Sequence, residues 1–136
     1  MGSVAKGPRV VLGALVAVGL VMAVAVSAHH SQSAYEPSKT IQIEGTMQAI
    51  SWANPHSLFF VNAKLVGTTA APTRWSVEGP APRALEGAGW MRTDIKIGDK
   101  VTMTGRPRRD GKPDMIVVGV TTAAGKVISF RNDGAQ

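Results

Sequence analysis

The stretch IQIEGTMQAISW, Ile41–Trp52, decides the fold. Ile41, Ile43, Met47 and Ala49 alternate with polar residues, the period of a strand with one buried face. Ile50 and Trp52 then fall on the opposite parity. A parity change soon after Gly45 predicts a bulged, strongly bent strand, because one extra residue turns everything beyond it over. Ala53-Asn54-Pro55-His56 supplies turn chemistry, with Pro55 unable to fill an ordinary ladder position. Leu58 to Leu65 is apolar on both faces and reads as a second strand, followed by Val66-Gly67 and a Thr/Ala-rich loop. Arg74 to Glu78 alternates as a short third strand.

The segment from Pro80 to Gly89 changes character. Pro82 suits a first helical position, Ala84, Leu85 and Ala88 give an apolar face, and Gly87 or Gly89 can end the helix. Ile97-Gly98-Asp99 turns the chain into a fourth strand, Lys100 to Gly105. Asp110-Gly111 interrupts a basic loop before a fifth strand, Met115 to Thr121, and Ala124-Gly125 turns into a sixth, Lys126 to Phe130. The expected class is all-β with one short helix. The order predicts an OB-fold-like Greek-key barrel of five to six strands over residues 41–131. The helix between the third and fourth strands separates it from a sandwich of similar strands.

Upstream, Lys6 and Arg9 precede 17 uninterrupted apolar residues, Val10 to Val26, and then Ser27-Ala28. Residues 1–28 read as a secretory signal peptide with small residues at the cleavage positions. Residues 29–40, polar and carrying Pro37, read as an extended N-terminal arm. Export to the bacterial envelope, periplasmic or secreted, is the expected localisation. An uncleaved membrane anchor is the competing reading, since the run is at the lower edge of a spanning helix. The chain has no cysteine, which removes disulfides, thiolate metal sites and lipoprotein attachment. Of 15 Lys and Arg, two lie in the signal, leaving 13 against nine acidic residues. A modest positive excess of this kind favours anionic surfaces weakly.

The part beyond the signal resembles the DUF6152 family of small secreted bacterial proteins. The resemblance is carried by His29-His30-Ser31, Glu44-Gly45-Thr46, Trp52-Ala53-Asn54-Pro55-His56, Trp75-Ser76-Val77-Glu78, Pro82 with Leu85, Gly89-Trp90, Lys96 to Val101, and Asp110-Gly111. It implies export and a β-barrel, and it carries no activity.

The candidate chemistry is histidine chemistry. The chain's three histidines, His29, His30 and His56, all lie in the matching elements. Cleavage after Ala28 would give His29 a free α-amine beside its own imidazole, a chelate that a second imidazole can complete. Nitrogen donors of this kind suit Cu(II), so copper is the candidate cofactor and the three histidines the candidate metal ligands, with the cofactor itself left open. Against this, His29 and His30 are also ordinary residues of a soluble arm, and His56 can be a turn residue bonded to backbone near Asn54. Reach is a further objection: twelve arm residues extend at most about 40 Å, similar to the first strand at roughly 3.3 Å per residue.

Arg106, Arg108, Arg109 and Lys112 make the loop after the fourth strand basic, where OB-folds contact oligonucleotides and oligosaccharides. Few aromatics accompany them, and export argues against nucleic acid. A solvated hairpin is the default, and an anionic surface the alternative. Trp52 and Trp75 are expected in the core and Trp90 as a cap on the barrel's end. Glu78 is expected to pair with Arg83 or another cation. Asp94, Asp99, Asp110 and Asp114 fall at expected turns. No Ser-His-Asp set, carboxylate pair or phosphate loop stands out. The expectation is a non-catalytic binding module whose partner is an envelope protein or anionic surface, with direct membrane attachment only if the signal stays uncleaved. The alternative is an accessory or scaffolding subunit that contacts a membrane or secreted enzyme through the barrel face.

Overall fold

The computed structural model describes Gly2 and residues 32–130. The chain divides into two compact units, Met1–Ala34 and Tyr35–Gln136. The rest of the expected signal segment, together with His29, His30 and Arg131, lies outside the described residues. In the first unit Gln32 is helical and Ser33 and Ala34 form a turn. Among the described residues no helix is long and apolar enough to cross a membrane.

The second unit contains β1 (Ile41–Ser51), β2 (Ser57–Leu65), β3 (Thr73–Gly79), α1 (Pro82–Gly87), β4 (Lys100–Pro107), β5 (Asp114–Thr121) and β6 (Val127–Ser129). The strands run in the order β3-β2-β1-β4-β5-β6, and a further β3–β5 pairing joins the two sides. Five strands thus close a mixed barrel, with β6 added beside β5, as the OB-like reading expects. The closing seam is parallel, with Val77 opposite Met115 and Glu78 opposite Ile116.

The first strand makes closure possible. β1 pairs with β2 along one edge and with β4 along the other. Its register on β2 shifts between Met47 and Ala49, so Gln48 is the extra residue. Before the bulge Ile43 and Met47 point inward; beyond it Ile50 and Trp52 pack against the core instead. The parity change therefore marks a real bulge.

Gly45 sits on the inner face between Ile43 and Met47. A Cβ there would collide with the Asn62 carbonyl oxygen and lie 2.6 Å from Ala63 Cα. The two strands can approach this closely only over a glycine. A β-carbon at Gly105 would similarly fall 2.6 Å from the Ile116 oxygen.

In β2 the inner face is Ser57, Phe59, Val61 and Ala63, all buried, with the even residues outward. The helix starts with Pro82 in its first turn, and Leu85 is its buried residue. Ala84 and Ala88, expected on the same apolar face, are exposed. Leu85 O accepts from Trp90 N at 2.9 Å, and Gly89 takes φ +90° between them. This reversal is open to glycine and turns Trp90 back onto the barrel.

Trp90 is fully buried. Its ring stacks on Phe59 at 4.5 Å and 17°, Trp52 meets it edge-on at 5.9 Å, and Phe130 tilts against it at 5.8 Å. The tryptophan expectation inverts here: Trp90 is the core residue, whereas Trp52 and Trp75 are only partly buried. Trp90 Nε1 has no hydrogen-bond partner among the described residues, so packing alone holds the ring.

Two glycine substitutions separate close packing from open space. Gly45→Ala should destabilise the barrel by about 3 kcal/mol or prevent folding, because backbone and not a flexible side chain occupies the space. Gly87→Ala, with nothing within 4 Å of the added carbon, should stabilise by about 0.5–1 kcal/mol. Urea denaturation of both variants checks the contrast.

Candidate functional site

Alternation along β3 buries Val77 and Gly79 and turns Glu78 outward. Ser57 pairs with Gly79, and its side chain points into the core. His56, one residue earlier, therefore projects on Glu78's side of the barrel. The His56 Nδ1 to Glu78 Oε1 distance is 2.7 Å, with 46% of the His56 side chain exposed and 24% of that of Glu78. The turn leading to His56 contains a cis Asn54–Pro55 bond.

His56 takes a carboxylate rather than backbone near Asn54. Glu78, expected to pair with Arg83 or another cation, pairs with His56. The carboxylate on Nδ1 fixes the ring's orientation and tautomer, leaving Nε2 as the nitrogen that Glu78 does not engage.

Across the seam, β5 opens with Asp114, opposite Ser76, two residues before Glu78. Asp114 was expected at a turn, yet it is the first residue of the strand. It accepts a hydrogen bond of 3.1 Å from the hydroxyl of Tyr35, and Tyr35 forms an isolated bridge with Arg108. The start of the barrel unit is thus pinned beside the seam. Tyr35 is 7% exposed. Burial, reinforced by the Asp114 charge and hydrogen bond, pushes its hydroxyl from 10.0 up to about 12.

The basic loop is closely paired. Arg108 Nε donates to both carboxylate oxygens of Asp110 at 3.1 Å, and a second nitrogen lies 3.4 Å from Asp114. Arg109 lies 2.8 Å from Glu36 and donates to the Tyr35 carbonyl at 3.1 Å. Lys112 Nζ is 3.7 Å from Asp110. The Ser38 hydroxyl and then Arg109 hold Glu36 below its ordinary range. Asp110 is lowered by the Lys112 N–H and then by Arg108. Arg106 lies on β4 opposite Ile116 rather than in the loop. Ion pairs at this exposure contribute little stability, but they neutralise most of the patch that the sequence presents as basic.

Of the three expected metal ligands, the described structure places His56 alone, since His29 and His30 lie outside it. Among the described residues no group of three or more His, Cys, Asp or Glu side chains is arranged to hold a metal ion. Glu78 and Asp114 are the site residues whose pairing the sequence does not reveal. The Trp-x-Asn-Pro-His turn and the Trp-x-Val-Glu strand carried the available signal.

A family model for DUF6152, a family of unknown function, matches residues 17–117. The chain belongs to this family. The match takes in His56, Glu78 and Asp114 and stops inside β5, so β6 lies beyond the DUF6152 region. No curated protein matches the chain.

The Tyr35 environment is directly measurable because the chain has one tyrosine. The tyrosinate absorbance should appear with a midpoint near 12, and Asp114→Asn should lower it only partly, because burial remains the larger cause. The folded value exceeds the unfolded one. The stability this group contributes is therefore complete below pH 10 and lost as pH climbs towards 12. A midpoint at the ordinary value would contradict the buried hydroxyl.

Proposed function

We propose that the chain is an exported, non-catalytic binding module of the bacterial envelope whose ligand is Cu(II). The observation that carries this reading is the His56–Glu78 pair. A carboxylate on one imidazole nitrogen is the arrangement that prepares the other nitrogen for a metal. Glu78 takes His56 Nδ1, which leaves Nε2 as the second nitrogen of a half-exposed imidazole. Its nitrogen donor suits copper, as do the His29 amine and imidazole and the His30 ring. Export rests on the basic start, the apolar run Val10 to Val26 and Ser27-Ala28. The non-catalytic part of the proposal is consistent with Ser57, the hydroxyl nearest His56 in sequence, pointing into the core.

The test is titration with Cu(II) of protein beginning at His29, beside three variants. One added N-terminal residue removes the α-amine chelate and should weaken binding tenfold or more. Glu78→Gln should weaken it by roughly tenfold to a hundredfold, the usual loss when a ligand's orienting partner is removed. His56→Ala should weaken it at least as much. Equal affinity with the added residue eliminates the amine as a ligand. Equal affinity in Glu78→Gln and His56→Ala eliminates the barrel from the copper site.

A further inference from the structure

A groove of about 490 Å³ lies on the outer face of the barrel, towards the C-terminal half of β2 and away from His56. Its floor is two cross-strand rows. In the first, Glu44 faces Lys64 on β2 and Thr102 on β4, and Thr102 faces Thr121 on β5. In the second, Thr46 lies between Asn62 and Lys100. Pro72 from the β2–β3 loop and Ala123 from the β5–β6 loop contribute to its lining.

The charges on this floor do not balance. Lys64 Nζ is 3.5 Å from Glu44 and donates to the Thr68 carbonyl at 3.0 Å. Lys100 Nζ donates to the neutral Thr46 hydroxyl at 2.9 Å, and among the described residues no carboxylate lies within ion-pair distance of it. Two ammonium groups and one carboxylate thus stand on this floor, and the carboxylate pairs with Lys64. Around them stand the hydroxyls of Thr46, Thr102 and Thr121 and the Asn62 amide, groups that both donate and accept. The threonine methyls, Pro72 and Ala123 add apolar surface between these polar points. Concavity of this size, with apolar walls and a few convergent polar groups, is typical of small-molecule sites.

We propose that the groove binds an anionic saccharide unit, with its carboxylate or phosphate on Lys100. Its hydroxyls bond the threonines and Asn62, and its C–H faces lie on the methyls, Pro72 and Ala123. The groove shares no residue with the His56–Glu78 pair, so this proposal stands or fails independently of copper.

The test is amide NMR and calorimetric titration of the intact protein with glucuronate and with a hexose phosphate, using glucose and acetate as controls. The two anionic sugars should shift resonances of Thr46, Thr102 and Thr121, and whichever binds more tightly identifies the anion. Lys100→Gln, which keeps a hydrogen-bond donor, should weaken binding about tenfold or more. Thr102→Val, which keeps the shape and loses the hydroxyl, should weaken it severalfold. Both positions are on the outer face, so an unchanged urea midpoint confirms an intact fold. Acetate matching glucuronate, Lys100→Gln binding like the parent, or no shift in the groove would each overturn the proposal.

Discussion

Closure of the barrel through β1 is the constraint on which the rest depends. One strand of eleven residues pairs with β2 and β4 on opposite edges, and it can do so only by coiling. Gly45 lets the chain pass against Asn62 and Ala63, and the extra residue at Gln48 re-aims the strand so that Ile50 and Trp52 meet the core. Right-handed twist alone does not curl a short strand this far; bulges and glycines at the tight points supply the remainder. With no cysteine in the chain, that backbone geometry and the packing around Trp90 carry the stability. The stacked and edge contacts of Phe59, Trp52 and Phe130 add about 0.5–1.5 kcal/mol each beyond their burial. They offset the cost of the indole nitrogen at their centre, which has no partner among the described residues.

Closure also makes the site. A parallel β3–β5 seam arises only when the two sides of the sheet meet, and it sets Glu78 and Asp114 on neighbouring strands of one outer face. Each carboxylate has a different partner. Glu78 orients a half-exposed imidazole, while Asp114 holds a buried phenol and an arginine. The second carboxylate ties the start of the barrel unit to the seam, so a structural anchor and a half-exposed imidazole share one face. The asymmetry follows from exposure: water reaches His56 and is largely excluded from Tyr35.

What was legible in the sequence follows the same logic. β1, β3 and β4 each bury one face, so alternation revealed them, and the parity change in β1 disclosed the bulge. Pro82 and Leu85 revealed the helix. β2 read as apolar on both faces, and the sequence of β5 from Met115 to Val120 has no polar residue to break the run either. Alternation therefore hid which face of β2 was inner, and it hid the register shift opposite Thr104 and Gly105, where β5 carries the extra residue Val118. Trp90 lies in a loop with no period, and only the Gly89 reversal sends it into the core. The His56–Glu78 pair was invisible for a related reason. Its partners are 22 positions apart and meet through the β2–β3 register, which local pattern does not encode.

Charge was the property that composition misrepresented most. Counting predicted a basic surface centred on Arg106 to Lys112, but Asp110 and Asp114 belong to the same hairpin and Glu36 comes to it from the chain's start. Positive charge in this family member is therefore set by pairing rather than abundance. Lys126 illustrates the rule at the other end of the barrel, where a 2.7 Å contact to Asp94 absorbs it and, with the Met91 N–H, lowers that carboxyl. Lys100, by contrast, sits in a concave row where its ammonium bonds the neutral Thr46 hydroxyl and no carboxylate among the described residues pairs with it. An isolated cation in a shaped groove discriminates between partners better than four cations in a solvated loop. The loop's charges are screened within about 10 Å at ordinary salt and already paired, whereas a groove fixes the distance and direction at which an anion must arrive.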